Sequence, residues 1–170
     1  MTEEAPRMSS PVEASNFRRV LGHYPTGVCI VTATPVDGRA TGMVVGSFTS
    51  VSLDPPLVAF FPAKISASWP RIQTAGKFCV NVLASDQRSL CQDFGGRGMA
   101  KLAGLPHRIS VNGSPILDDV LAWIDCTLDA VHEAGDHYVV IGRVVALEVE
   151  RYGSPLLFFR GGYGAFSQFQ

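Results

Sequence analysis

The chain has 170 residues, 46% of them hydrophobic and 17% charged, with a formal net charge of -1. That supplies the core of one domain, and a near-neutral balance with no basic cluster argues against nucleic acid or an anionic membrane surface as partner. No apolar run approaches the roughly 18 residues of a membrane span, and the first residues lack a signal peptide's basic and apolar regions, so a cytoplasmic protein with a small-molecule ligand is expected.

Residues 1–14 are rich in Pro, Ser and Glu and read as a disordered N-terminal tail, which leaves residues 15–170 as a single domain. Phe17, Val20, Leu21 and Tyr24 recur at i, i+3, i+4 and i+7. This spacing predicts a short amphipathic helix, capped by Ser15 or Asn16 and stopped by Pro25. Residues 28–33 (VCIVTA) are dense and β-branched, and Pro35-Val36-Asp37-Gly38 supplies a turn before a second run over residues 39–46. The pair predicts a hairpin.

Residues 40–56, ATGMVVGSFTSVSLDPP, carry the chemistry. Met43, Val44 and Val45 form a short apolar strand up to Gly46, and then four hydroxyl side chains, Ser47, Thr49, Ser50 and Ser52, follow within six residues. Hydroxyls at that density offer donors to a polar ligand, and the two prolines after Asp54 cannot donate to a ladder. A strand end and loop that grips a ligand is expected; a solvated loop is the plain alternative.

Residues 57–61 (LVAFF) predict a strand buried on both faces, and residues 68–75 a short helix with serine at its start, Pro70 in its first turn and Gly76 at its end. Residues 78–83 (FCVNVL) form the next strand, whose Asn81 must be hydrogen-bonded within the protein or face a ligand. Ser85 caps a helix running through Leu90 and Phe94 to Gly95-Gly96. Residues 97–119 read as a long functional loop or lid, with a minor strand near Ile116. Residues 122–132 alternate, Gly135-Asp136 turns the chain, and residues 138–149 return as a long strand in which Gly142 marks a bulge or close approach. A last strand over residues 156–159 ends in Arg160-Gly161-Gly162-Tyr163.

About seven strands against two or three short helices predict a mainly β, antiparallel, Greek-key-like barrel and exclude a Rossmann domain, whose G-x-G-x-x-G is also missing. No G-x-S-x-G, H-E-x-x-H or P-loop occurs, and the four histidines lack metal-ligand spacing, so no metal is expected. Cys29, Cys79, Cys91 and Cys126 contain no Cys-x-x-Cys pair and read as small buried hydrophobes.

Four motifs stand in order: Pro25-Thr26-Gly27-Val28; Gly46-Ser47-Phe48-Thr49-Ser50-Val51-Ser52-Leu53 running on to Pro55-Pro56-Leu57-Val58; Phe78-Cys79-Val80-Asn81-Val82-Leu83; and Gly135-Asp136-His137. Together, over roughly Phe17 to Tyr163, they resemble the short-chain flavin reductases, the reductase components of two-component flavin-dependent monooxygenases, with an FMN-binding split-barrel fold. The resemblance implies a homodimer that binds FMN or FAD, reduces it with NADH or NADPH, and releases reduced flavin to a separate oxygenase. It implies that Ser47, Phe48, Thr49, Ser50, Val51 and Ser52 line the flavin ring. Lys64, Ser66, Ser68, Trp69 and Asn81 would meet the ribityl chain and phosphate, with Arg88 adding charge. His137 would stand beside flavin and nicotinamide, and Thr26, Arg160 and Tyr163 are weaker correspondences.

The chemistry agrees with this reading. Hydride transfer belongs to the two cofactors, so the protein need only stack, orient and exclude water, without an acid-base dyad. Two other functions remain open: a split-barrel flavoprotein that keeps FMN for a substrate of its own, and a flavin- or haem-binding carrier. The motifs lean towards reductases serving aromatic or steroid-ring hydroxylases. The choice between FMN and FAD depends on room beyond the phosphate, which residues 97–119 open or close.

Overall fold

The computed structural model describes residues 12–95 and 102–169. Residues 1–11 of the expected tail, Gly96 and residues 97–101 of the expected loop lie outside the described residues, as does Gln170.

The first helix, α1 (Ala14–Leu21), begins with Glu13 as its extended N-cap and no capping side chain, so neither Ser15 nor Asn16 caps it; Asn16 Oδ1 instead accepts from Arg19 at 2.8 Å. None of its residues is buried, and the predicted apolar stripe faces outward. Strand β1 (Thr26–Gly27) leads into β2 (Cys29–Ala33), which turns back as β3 (Thr41–Val45). β3 starts two residues later than the apolar pattern because Asp37 Oδ1 accepts the Arg39 amide proton and keeps the turn closed.

The hydroxyl run is a strand rather than a loop. β4 (Thr49–Leu53) pairs with β5 (Pro56–Phe60) in a tight hairpin whose bend holds a cis Asp54-Pro55 bond. Thr and Val favour extended backbone, and Pro56 tolerates the last rung because it needs no ladder donor there. Val58, Ala59 and Phe60 are buried as the apolar run predicted, but Leu57 is half-buried and Phe61 exposed, so the burial on both faces does not extend over the whole run.

Helix α2 (Trp69–Ala75) follows, with Ser68 as N-cap and Gly76 at φ 66° closing it, then β6 (Lys77–Val82). A 3-10 turn (Ser85–Gln87) opens α3 (Arg88–Gly95), and its cap is Ala84, whose amide donates to Gln87 Oε1 at 3.1 Å. Ser85 is therefore inside the turn. A small hairpin, β7 (His107–Ile109) and β8 (Pro115–Leu117), precedes the two long strands β9 (Ala122–Ala134) and β10 (His137–Val149). The chain ends in β11 (Leu156–Phe159) and β12 (Gly162–Ala165), a second hairpin where the sequence showed one strand and a tail.

The main sheet has seven strands in the order β3-β2-β6-β9-β10-β5-β4, every neighbouring pair antiparallel. A smaller sheet, β1-β11-β12, lies apart from it. This is the mainly β split barrel that the sequence implied, with three short helices. Twelve strands are found among the described residues against about seven expected; the additions are short segments of two to five residues, too short or too polar to show a sustained apolar pattern.

Phe60, Phe78 and Trp69 form the centre of the core in edge-to-face contact, with ring centroids 5.3 and 5.9 Å apart. The β9–β10 register shifts at Gly142, and a Cβ there would run into the Phe78 ring, so the predicted close approach is found. All four cysteines are free and buried; burial pushes the Cys29 and Cys126 thiols up to about 12.

Candidate functional site

The end of β3 and the start of β4's lead-in stand beside the end of β5 and the tip of the β9–β10 hairpin. Between them opens a cleft of about 450 Å³ lined by Thr26, Met43 to Ser47, Phe61, Pro62, Ala63, Ser66 and His137. An apolar wall, Met43 to Val45 with Phe61 and Pro62, faces a sparse set of polar groups, the usual composition of a small-molecule site.

The polar groups are held with a definite orientation. Ser47 Oγ accepts the Phe61 amide proton at 3.0 Å, and Ser66 Oγ accepts the Trp69 amide proton at 3.3 Å. Each hydroxyl is thus used as an acceptor by the backbone, and its own O–H remains available to donate into the cleft. Thr26 Oγ1 stands 2.9 Å from where a Cβ at Gly46 would lie, so only glycine lets these two segments meet.

His137 reaches the cleft through an isolated bridge to Ala63, and its Nδ1 lies 2.7 Å from Asp136 Oδ1. The neighbouring imidazole holds the Asp136 carboxyl below the usual carboxylate range. Lys64 continues the same rim. Its amide donates to the Asp136 carbonyl at 2.8 Å, its Nζ donates to Glu133 Oε2 at 2.8 Å, and the ammonium lies 5.5 Å from the centre of the Tyr138 ring. Glu133 raises the Lys64 pKa, and Lys64 lowers that of Glu133. Both groups are exposed, so the pair orients Lys64 more than it stabilises the fold.

The structure therefore brings Thr26, Ser47, Ser66 and His137 to one cleft, with Lys64 and Ser68 next to it along the chain. Thr49, Ser50, Val51 and Ser52 lie on β4 at the open edge of the sheet, beside the cleft lining, and the register shifts between Ser50 and Ser52. Phe48 packs against the core. Arg88 sits 5.6 Å from the Tyr163 ring, and Tyr163 lines a small hollow on the other side of Val44 and Gly46. Arg160 occupies the β11–β12 turn at φ 49°, its amide bound to the Gly22 carbonyl. It is not among the residues lining the cleft.

Two expected ligand contacts are corrected. Asn81 is fully buried: its Nδ2 donates to the Ile30 carbonyl at 3.1 Å and Thr32 Oγ1 at 3.0 Å, and its Oδ1 accepts the Leu117 amide proton at 2.8 Å. It ties β7–β8 to the barrel and has no free face for a ligand. The Trp69 indole is 1% exposed against Phe60 and Tyr138, so it belongs to the core. Residues that the sequence did not single out are Phe61, Pro62 and Ala63, which wall the cleft, and Glu133, which holds Lys64. Phe61 carried a signal, being the last residue of an apolar strand beside a Pro.

The donor set and shape fit a flavin. An apolar wall suits a flat fused ring, and hydroxyl donors with Lys64 nearby suit carbonyl and phosphate oxygens.

The family model for the flavin reductase like domain matches residues 21–167. A flavin reductase of Pseudomonas putida is 59% identical over 158 residues, covering 93% of each chain. The reductase subunit HsaB of a flavin-dependent monooxygenase from Rhodococcus jostii is 50% identical over 152 residues, 89% of this chain and 77% of its own. Among solved structures, component B of nitrilotriacetate monooxygenase from Mycobacterium thermoresistibile superposes with a TM-score of 0.86 at 48% identity, over 90% of this chain and 86% of that one. The chain belongs to the flavin reductase-like family, an oxidoreductase fold shared with the reductase components of two-component monooxygenases.

Proposed function

We propose that this chain is an NAD(P)H:flavin oxidoreductase that takes FMN or FAD into the Thr26–Ser47–Ser66–His137 cleft and supplies reduced flavin to a partner oxygenase, of the kind acting on aromatic or steroid rings. The observation that carries it is the pair of oriented hydroxyls, Ser47 and Ser66, lining one cleft together with the apolar Met43 to Val45 segment and His137. When bound, flavin and reduced nicotinamide supply the hydride chemistry between them. The residues of this chain bind, orient and exclude water: Ser47 donates to ring oxygens, Ser50, Val51 and Ser52 flank the ring from the sheet edge, and Ser66, Ser68 and Lys64 meet the phosphate. His137 lies where the nicotinamide would enter.

The chain is proposed to act as a homodimer in the cytoplasm. Val145, Leu147 and Val149 on β10 are each at least half exposed, and α1 presents its apolar stripe outward, so a second copy would cover apolar surface that is otherwise in water. No helix among the described residues is long and apolar enough to cross a membrane.

The test is steady-state oxidation of NADH and of NADPH with FMN, FAD or no flavin added. Turnover that requires and saturates with added flavin establishes the reductase. Absence of turnover with every pair, in protein that binds flavin by titration, removes it.

A further inference from the structure

Two segments meet at the rim of the cleft and are fastened there by their backbones. The Lys64 amide donates to the Asp136 carbonyl at 2.8 Å, the Tyr138 amide donates to the Pro62 carbonyl at 2.9 Å, and Ala63 bridges His137. The loop between β5 and α2, which carries Lys64 and Ser66, is thus tied to the tip of the β9–β10 hairpin, which carries His137. The charges at this junction are uneven. Lys64 faces two carboxylates of the hairpin, Glu133 and Asp136, whose side chains are 76% and 95% exposed.

The Lys64 ammonium is already engaged. Its Nζ donates to Glu133 Oε2 at 2.8 Å and lies 5.5 Å from the centre of the Tyr138 ring. Glu133 and Tyr138 are direct partners across β9 and β10, so one cross-strand pair holds the ammonium from the hairpin side. Glu133 has no packing role at this exposure, and its one side-chain bond among the described residues is to Lys64.

An ammonium has three N–H donors, so Lys64 can still turn towards an anion in the cleft. The carboxylate beside it opposes that move in two ways. It cancels much of the field of Lys64, and its own charge repels an arriving phosphate dianion. Both effects are screened at an exposed rim, which makes the opposition modest. A modest opposition suits a reductase whose product has to leave, since flavin held fast cannot reach an oxygenase.

We propose that Glu133 is a positioning residue for flavin release: it competes with the flavin phosphate for the Lys64 ammonium and so keeps the flavin loosely held. It acts through Lys64 and touches neither the flavin ring nor the nicotinamide. The inference rests on the flavin reading of the cleft, with Lys64 at the phosphate.

Titration of the full chain with FMN and with riboflavin, which lacks the phosphate, tests it on Glu133→Gln, Lys64→Met and the double variant. Glu133→Gln should bind FMN about two- to fivefold more tightly, with a correspondingly slower release in stopped-flow displacement, and should leave riboflavin unmoved. The gain should shrink as salt is raised. Lys64→Met should weaken FMN relative to riboflavin, and in that background Glu133→Gln should change neither ligand. Unchanged or weaker FMN binding in Glu133→Gln, equal tightening of riboflavin, an unaltered FMN to riboflavin ratio in Lys64→Met, or a gain that survives without Lys64 each overturns the proposal and leaves the reductase reading in place. An unaltered chain that binds neither FMN nor riboflavin overturns the reading on which the proposal rests.

Discussion

Ser47 Oγ accepts the amide proton of Phe61 at 3.0 Å, fourteen residues along the chain, and this bond joins the lead-in of β4 to the end of β5 across the mouth of the proposed flavin cleft. Ser47→Ala removes the acceptor and the cleft-facing donor together. A lost hydrogen bond of this kind costs about 0.5–1.5 kcal/mol, so a small fall in Tm should accompany a severalfold rise in flavin Kd. Thermal melts and flavin titration check both; a full loss of stability with unchanged Kd would place Ser47 in the scaffold alone.

Asn81 should behave in the opposite way. Asn81→Leu leaves the Leu117 amide and the Ile30 carbonyl short of a partner in a fully buried place, at about 1–3 kcal/mol per orphaned group. Denaturant midpoints should fall strongly, while the flavin Kd of the folded fraction stays the same. A selective loss of flavin binding at unchanged stability would restore Asn81 to the site.

These two residues show what could be read from the chain alone. The hydroxyl run and the Gly-Asp-His turn announce donors, and the apolar runs announce strands, because both are local patterns. Whether Asn81 or Trp69 points at a ligand is decided by partners on other elements, Thr32 and Leu117 for one, Phe60 and Tyr138 for the other. Gly142 was legible because a glycine inside a strand of Val and Ile has few reasons to be there, and the Phe78 ring supplies the reason. Asp125 is another case of a non-local cause. Alternation along β9 says only which side it shares with Trp123 and Thr127; the turn between β7 and β8 folds over it and buries it.

Gly142→Ala should therefore be costly. The added methyl meets the Phe78 ring and the Cys126 Cβ in the packed core, and overpacking of this kind costs about 1–3 kcal/mol. Urea unfolding reads the loss, and a midpoint within error of the unaltered chain would mean that the bulge relaxes.

Asp125 gives a pH dependence with a definite sign. Burial raises its pKa above the ordinary 3.8, against the opposing bonds from Ser110 and from the Asn112 amide, which donates to Oδ2 at 3.0 Å. Oδ1 has no partner. An acid whose folded pKa is raised favours the folded state when protonated, so its contribution is full below about pH 4 and declines as pH rises through the folded value. Asp37, Asp86, Asp136, Glu133 and Glu150 are lowered and act in the opposite sense, each losing its contribution as pH falls. Comparing Asp125→Asn with the unaltered chain isolates the one group: the variant should gain relative stability as pH rises from 4 to 7. Parallel stability curves would show that Asp125 does not titrate differently on folding.

His137 and Ser50 separate the two halves of the proposed reaction. His137 lines the cleft from the β10 end with Nδ1 held by Asp136, which turns Nε2 away from that carboxylate. Ser50 lies on the edge strand β4 beside the cleft lining and makes no side-chain hydrogen bond among the described residues. His137→Ala should lower NADH- or NADPH-dependent turnover about five- to tenfold, the loss of roughly one good hydrogen bond, with flavin Kd nearly constant. Ser50→Ala should weaken flavin binding and leave turnover at saturating flavin close to that of the unaltered chain. Stopped-flow reduction of pre-bound flavin distinguishes them, since only the histidine variant should be slow there; unchanged reduction kinetics in His137→Ala would remove His137 from the nicotinamide side.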